Sequence, residues 1–207
     1  MEVFSISILL ISFLLLLSIG TPVAWSIIIS SLFTLFVSVP FLPALTTISQ
    51  RMATGIDSFA LLAIPFFILS GELMNSGGVA HRLVAFAKTL VGFLPGGLAL
   101  INIISAMLMG SVAGSAMASA SAMGSILGPE MEKEGYSRGF GVAINITSAT
   151  TGLVIPPSNI LIVYSLASGG ASIAALFLAG YIPGILTGLF LMIVAMLWAK
   201  KKNFKTG

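Results

Sequence analysis

The sequence predicts an all-α polytopic membrane protein, and three observations carry that reading. Of its 207 residues 57% are apolar and only 7% are charged, and the mean hydropathy of +1.14 lies far outside the range of a soluble domain. The apolar residues fall into helix-length segments separated by turns bearing Gly, Pro or Asn. A third stretch, GSVAGSAMASASAMGSILG from Gly110 to Gly128, is too small-sided for a lipid-facing helix. Small residues let backbones approach closely, and Ser hydroxyls satisfy polar groups where water is scarce, so this run belongs against other helices, and function is expected there.

Charge reports topology rather than nucleic-acid binding. The net charge is +3, but Lys200, Lys201, Lys202 and Lys205 account for four of the nine basic residues and leave no basic face for nucleic acid. The absence of Cys excludes disulfides and thiolate metal sites.

The first segment, Val3 to Ile19, has no basic flank and no small-residue cleavage site, and is expected to be a retained span of 17 residues, roughly 25 Å of helix. Gly20 turns the chain, Thr21 is placed to cap and Pro22 to open a second span through Val39, so the two form a helical hairpin. Pro40 to Asp57 reads as a moderately apolar connector carrying Arg51. A third span follows from Phe59 to Met74 with Pro65 inside, and Glu72 near its far end reads as a solvated or capping acid. Val79, Leu83, Phe86, Leu90 and Phe93 recur at 4,3,4,3 spacing opposite His81, Arg82, Lys88 and Thr89, the pattern of an amphipathic helix lying in the headgroup plane.

Leu98 to Met109 and Ala116 to Leu127 are apolar segments of 12 residues each, about 18 Å as helix and too short to cross about 30 Å of hydrocarbon. Joined by Gly110 to Ser115, they read as a re-entrant hairpin with a non-helical tip at membrane depth, which is permitted where protein or a water-filled cavity covers it. Two short full spans with an outside turn are the alternative. After a polar loop from Glu130 to Arg138, Phe140 to Ile155 is cut by Pro156-Pro157-Ser158-Asn159 before resuming through Ala167, because adjacent prolines lack amide donors and clash with carbonyls four residues back. Asn145 to Gly152 is a dense cluster of uncharged oxygens upstream of that break. Ser172 to Trp198 forms the last helix, with Pro183 inside and the Lys tail beyond. Placing that tail in the cytoplasm puts His81 to Lys88, Lys133 and Arg138 inside as well, and Arg51 and the N-terminus outside, whether or not the hairpin is re-entrant.

The tip and the break create four helix ends, each with a sign. The starts near Ser115 and near Ser158-Asn159 present free amides and about half a positive charge, which suits a substrate carboxylate. The ends near Met109-Gly110 and Leu153-Val154 present carbonyls, which with hydroxyls and no buried acid suit a weakly held alkali cation such as Na⁺.

Gly110-Ser111-Val112-Ala113-Gly114-Ser115-Ala116, Ile155-Pro156-Pro157-Ser158 and Phe177-Leu178-Ala179-Gly180-Tyr181-Ile182-Pro183-Gly184 resemble the large membrane subunit of the tripartite ATP-independent periplasmic (TRAP) transporters, over nearly the whole chain. The resemblance implies a multi-pass, Na⁺-driven carrier of organic acids such as sialic acids or dicarboxylates in the bacterial inner membrane. It implies an elevator-type fold of two inverted repeats, of which this length holds the first. Its implied partners are a periplasmic substrate-binding protein, a small membrane subunit and the second half of the large subunit, besides the bilayer. Residues 1–78 would then be scaffold helices, 79–96 an interfacial arm, 97–168 the transport region (hairpin 97–128, broken helix 139–168) and 172–207 the final helix and tail. The family's hairpin-tip and Pro-Pro sites carry over to Ser111, Gly114, Ser115, Pro156, Pro157 and Ser158, and with the helix-end and oxygen-cluster residues the cation candidates are Gly110, Ser111, Gly114, Ser115, Thr150, Thr151, Leu153 and Val154. The substrate candidates are Ser115, Asn145, Ser148, Pro156, Pro157, Ser158 and Asn159, with no cofactor beyond the coupling ion.

Two other readings stand beside this one. A non-transporting remnant of a split transporter fits the same residues. An intramembrane serine hydrolase needs a base at membrane depth, yet the one His, His81, falls on the polar arc of the interfacial helix, so no enzyme activity is expected.

Overall fold

The computed structural model describes residues 2–202 and residue 204; Lys205 of the basic tail and the N-terminal Met1 lie outside the described residues. All regular elements among them are helices, grouped into two units, residues 1–58 and 59–207.

In the first unit α1 (Glu2–Ser18) and α2 (Val23–Ser38) pack as the expected hairpin, turned at Gly20. Thr21 does not cap α2. Its hydroxyl donates to the Leu16 carbonyl at 2.5 Å and lies 2.7 Å from the hydroxyl of Ser26, while Pro22 stands at the N-cap itself. Ser26 and Ser30 are buried, as polar groups between apolar helices should be only when bonded, and both reach carbonyls. The expected connector is corrected to a helix, α3 (Phe41–Ile56), which starts after Pro40. The fixed φ of Pro40 sets the entry, Pro43 falls in the first turn where its missing amide costs nothing, and the hydroxyls of Thr46, Ser49 and Thr54 bond back to carbonyls of their own helix.

The second unit is built around α6 (Gly97–Ala113), of whose 17 residues 12 are buried. Against it pack α4 (Phe59–Ser76), α5 (Val79–Val91), α7 (Ala116–Lys133), α8 (Arg138–Ala149), α9 (Thr151–Val154) and α11 (Ile173–Lys202), while α10 (Asn159–Ala167) packs on α4, α9 and α11. The core holds Leu100, Ile101, Ile103 and Met109 of α6 with Met123, Leu127 and Met131 of α7. By length and composition α11 can cross a bilayer alone, and Arg138–Val154 with Asn159–Ala167 passes the same test as one path bent by 51°.

Two expectations are corrected here. The hairpin arms are 17 and 18 residues long rather than 12, and only Gly114 and Ser115 lie outside helix, because the Gly114 amide closes the last turn of α6 on the Gly110 carbonyl at 2.8 Å. The polar loop shortens, since α7 continues through Pro129 to Lys133 and Ser137 caps α8 by accepting from the Phe140 amide. On α5, Ala80 and Ala87 are buried against the unit, and Phe86, Leu90 and Phe93 of the apolar stripe are exposed. Small Ala side chains allow close approach to α6, so the larger residues are turned outward.

Packing also gathers charge. Lys88, Glu130, Lys133 and Glu134 line one cavity, Lys202 lines a groove with Ser137, and Gly96 abuts Ala199. The basic residues of α5, α7, α8 and α11 therefore share the end of the unit where α6 begins, and α6 carries its C-terminus about 25 Å away from it.

Candidate functional site

The site begins with two chain breaks built the same way. Gly114 has φ +60, a left-handed conformation that a side chain disfavours, and it ends α6; Ser115 follows in extended conformation and its hydroxyl accepts from the Ala118 amide at 3.4 Å, capping α7. At the second break Pro156 and Pro157, joined by a cis peptide, end α9. Ser158, again extended, caps α10 by accepting from the Leu161 amide at 3.4 Å, and its hydroxyl donates to the Leu153 carbonyl.

The two breaks meet. The Asn159 amide donates to the Gly114 carbonyl at 3.4 Å, and a Cβ on Gly114 would lie 2.8 Å from the Pro157 carbonyl oxygen. One helical turn earlier, a Cβ on Gly110 would lie 2.2 Å from the Cα of Gly152. From the other side α11 presents Gly180, where a Cβ would come within 2.5 Å of the Val154 carbonyl oxygen, and Gly184, where it would come within 2.5 Å of Ile155. The small residues of the three motifs thus have one purpose, which is to bring three backbones together at one junction.

Not every candidate reaches that junction. Gly110, Gly114, Ser115, Leu153, Val154, Pro156, Pro157, Ser158 and Asn159 form it. Ser111 stands one turn before the tip with its hydroxyl on the Leu108 carbonyl at 2.7 Å. Thr150 is exposed and donates to Thr147 at 2.7 Å, whereas Thr151 is buried and donates to Ser148 at 2.6 Å. Asn145 and Ser148 are tied away from it: the Asn145 side-chain amide donates to the Ala120 carbonyl at 2.8 Å and the Ser148 hydroxyl to the Asn102 side chain at 3.0 Å. The carbonyl-bearing end of α6 also moves. Met109 and Gly110 are inside the helix and the Gly110 carbonyl is bonded, so the last carbonyls are those of Ser111, Val112 and Ala113.

Four further polar residues lie along the hairpin or beside its tip. Asn102 and Ser105 are buried on α6 and Ser119 on α7, and the Ser119 hydroxyl donates to the Ala106 carbonyl at 3.1 Å, locking the hairpin arms. Asn102 and Ser105, three apart in an apolar run, were a visible signal for a shared helix face. Glu72 is exposed, as expected, but lines a cavity of about 320 Å³ with Gly71, Ala113, Ser115 and Ser121 beside the tip. Ser105 Oγ, Asn145 Oδ1 and Asn159 Oδ1 are buried without a hydrogen-bond partner among the described residues. Neutral oxygens and helix termini without a charge inside the junction can hold an alkali cation or a carboxylate, and the orphaned Asn159 oxygen is a free acceptor there.

The model of one protein family, the DctM component of the tripartite ATP-independent periplasmic transporters, matches residues 10–207. The chain belongs to this family. It is similar to a protein of Salmonella typhimurium named as uncharacterized protein YgiK, with 55% identity over 202 residues, 98% of this chain and 46% of that protein. It is also similar to the isethionate TRAP transporter permease DctMQ of Oleidesulfovibrio alaskensis, at 40% identity over 93% of this chain and 30% of that protein. A third relative is the sialic acid TRAP transporter large permease SiaM of Vibrio cholerae, at 38% identity over 92% of this chain and 44% of that protein. The chain therefore spans less than half the length of these relatives.

Proposed function

We propose that this chain is the first half of the large permease subunit of a TRAP transporter, carrying a small organic acid, sialic acid-like or dicarboxylate-like, into a bacterium with Na⁺. The hydrogen bond from the Asn159 amide to the Gly114 carbonyl carries the reading, because it joins the tip of the hairpin to the Pro-Pro break. At that joint the amide-bearing starts of α7 and α10 offer partial positive charge to a carboxylate, and the carbonyl ends of α6 and α9 offer oxygens to a cation. With the basic end of the unit in the cytoplasm and the N-terminus in the periplasm, α6 brings the tip about 25 Å into a core of about 30 Å, which favours a re-entrant hairpin in the inner membrane.

The hairpin and broken helix move together as an elevator against scaffold helices, and the second half of the large subunit supplies the opposing hairpin. The small membrane subunit and the periplasmic substrate-binding protein complete the system. The test is uptake by the complete reconstituted system under a Na⁺ gradient. Ser111→Ala and Ser115→Ala raise the Na⁺ concentration needed for half-maximal uptake, and undiminished uptake in Na⁺-free, proton-buffered medium overturns the coupling.

A further inference from the structure

We propose that the groove between α8 and α11 is a binding site for an anionic phospholipid at the basic end of the second unit. Its volume is about 590 Å³, within the range of small-ligand sites, and its walls are Ala143, Ile144 and Phe140 of α8 facing Val194, Ala195 and Trp198 of α11. Lys202 and Ser137 also line it, with Gly135 and the ring of Phe204, which stacks on Tyr136 and meets Phe140 at a tilt. Ser137 is the N-cap of the 12-residue α8, so the first amides of that helix point past its hydroxyl.

Tyr136, the residue before that N-cap, faces a separate cavity. Tyr136 is 4% exposed, and its hydroxyl, a donor, has no hydrogen-bond partner among the described residues. It lines a cavity of about 260 Å³ with Ser137 and Arg138. Glu132 lies in that cavity and meets Arg138 at 3.8 Å, but both side chains are largely exposed and such a pair holds weakly.

The occupant follows from the combination. A free phosphate has no use for six apolar walls, and a purely apolar segment has no use for Lys202 and an open helix start. An acyl chain along the walls with its phosphate at the rim satisfies both, and Lys200 and Lys201 beside Lys202 add to the attraction of an anionic headgroup. Trp198 stacks on Phe140 at 6.1 Å beside the Lys cluster, a setting in which an indole is expected to border headgroups.

Trp198 also reports the test. In the complete transporter, placed in vesicles of phosphatidylcholine with a small fraction of bromine-labelled lipid, the Trp198 signal is taken as the difference from a Trp198→Phe preparation. Brominated phosphatidylglycerol quenches it at about one-fifth of the mole fraction that brominated phosphatidylcholine needs. Lys202→Gln brings the two lipids close to parity, whereas Arg51→Gln, on the first unit, leaves the preference intact. Equal quenching by both lipids in the unaltered protein overturns the proposal in favour of a nonselective lipid belt. Absence of quenching by either overturns it in favour of a groove covered by protein. Each result is independent of substrate uptake.

Discussion

Gly110 and Gly152 touch backbone to backbone: a Cβ on Gly110 would fall 2.2 Å from the Cα of Gly152, with the Gly152 amide nitrogen 3.0 Å away. No flexible side chain stands there to give way. Gly110→Ala must therefore push α6 from α9, at an overpacking cost of about 1–3 kcal/mol, and it shifts the Gly114–Asn159 contact one turn above. Gly128→Ala, on α7 with nothing within 4 Å, is neutral or slightly stabilising because Ala is the better helix former. Thermal unfolding of the two variants in the same detergent checks this, and equal midpoints would refute the contact.

Water reaches the hairpin tip. The last carbonyls of α6 need hydration or a ligand, and Val112 is only partly buried in the turn before Gly114. In this Cys-free chain Val112→Cys reacts with a small hydrophilic thiol reagent, while Leu14→Cys, exposed on an apolar helix of the first unit, does not. Silence at both positions would remove the support for a cavity at the tip.

Tyr136 keeps its proton unusually long. Burial raises its pKa, with the Glu134 carboxylate adding to the effect, from 10.0 to about 12. The phenol is neutral in the folded protein well after it ionises in the unfolded chain, so stability is fully present below about pH 10 and is lost as pH rises toward 12. The phenolate absorbance of the protein minus that of Tyr136→Phe should appear near pH 12; appearance near 10 would show a solvated ring.

The 207 residues alone are expected not to transport. They span less than half of the related permeases, and a carrier with inverted repeats places its site between two hairpins. A second copy does not supply the other hairpin, because the Lys tail orients both copies alike. Uptake by the chain reconstituted with only the binding protein and the small subunit stays at background, and robust Na⁺-driven uptake would show that one repeat suffices.

Composition and punctuation determined much on their own. High hydropathy and the near absence of charge fixed the class, because a bilayer admits little else than helices built of apolar residues. Gly114 and Pro156-Pro157 marked the two breaks, because φ above zero and missing amides are properties of the residue itself. The length of the first arm was not legible, because Gly110, Ser111 and Val112 have weaker helix propensity and Gly110 packs directly on Gly152 of α9. The same holds for α3, whose composition alone reads as a connector.

Which candidates share a site was decided only by the tertiary structure. Asn145 and Ser148 are as polar as Ser115 and Ser158, yet their side chains are spent on Ala120 and Asn102, and no local pattern encodes a partner 25 or 46 residues away. The amide of Asn159 finds the carbonyl of Gly114 only because Gly110 and Gly152 lack side chains a turn below, so the site exists where two backbones can touch. Residue chemistry is local and was written in the sequence; closeness of approach is a property of pairs, and pairs are made by the fold.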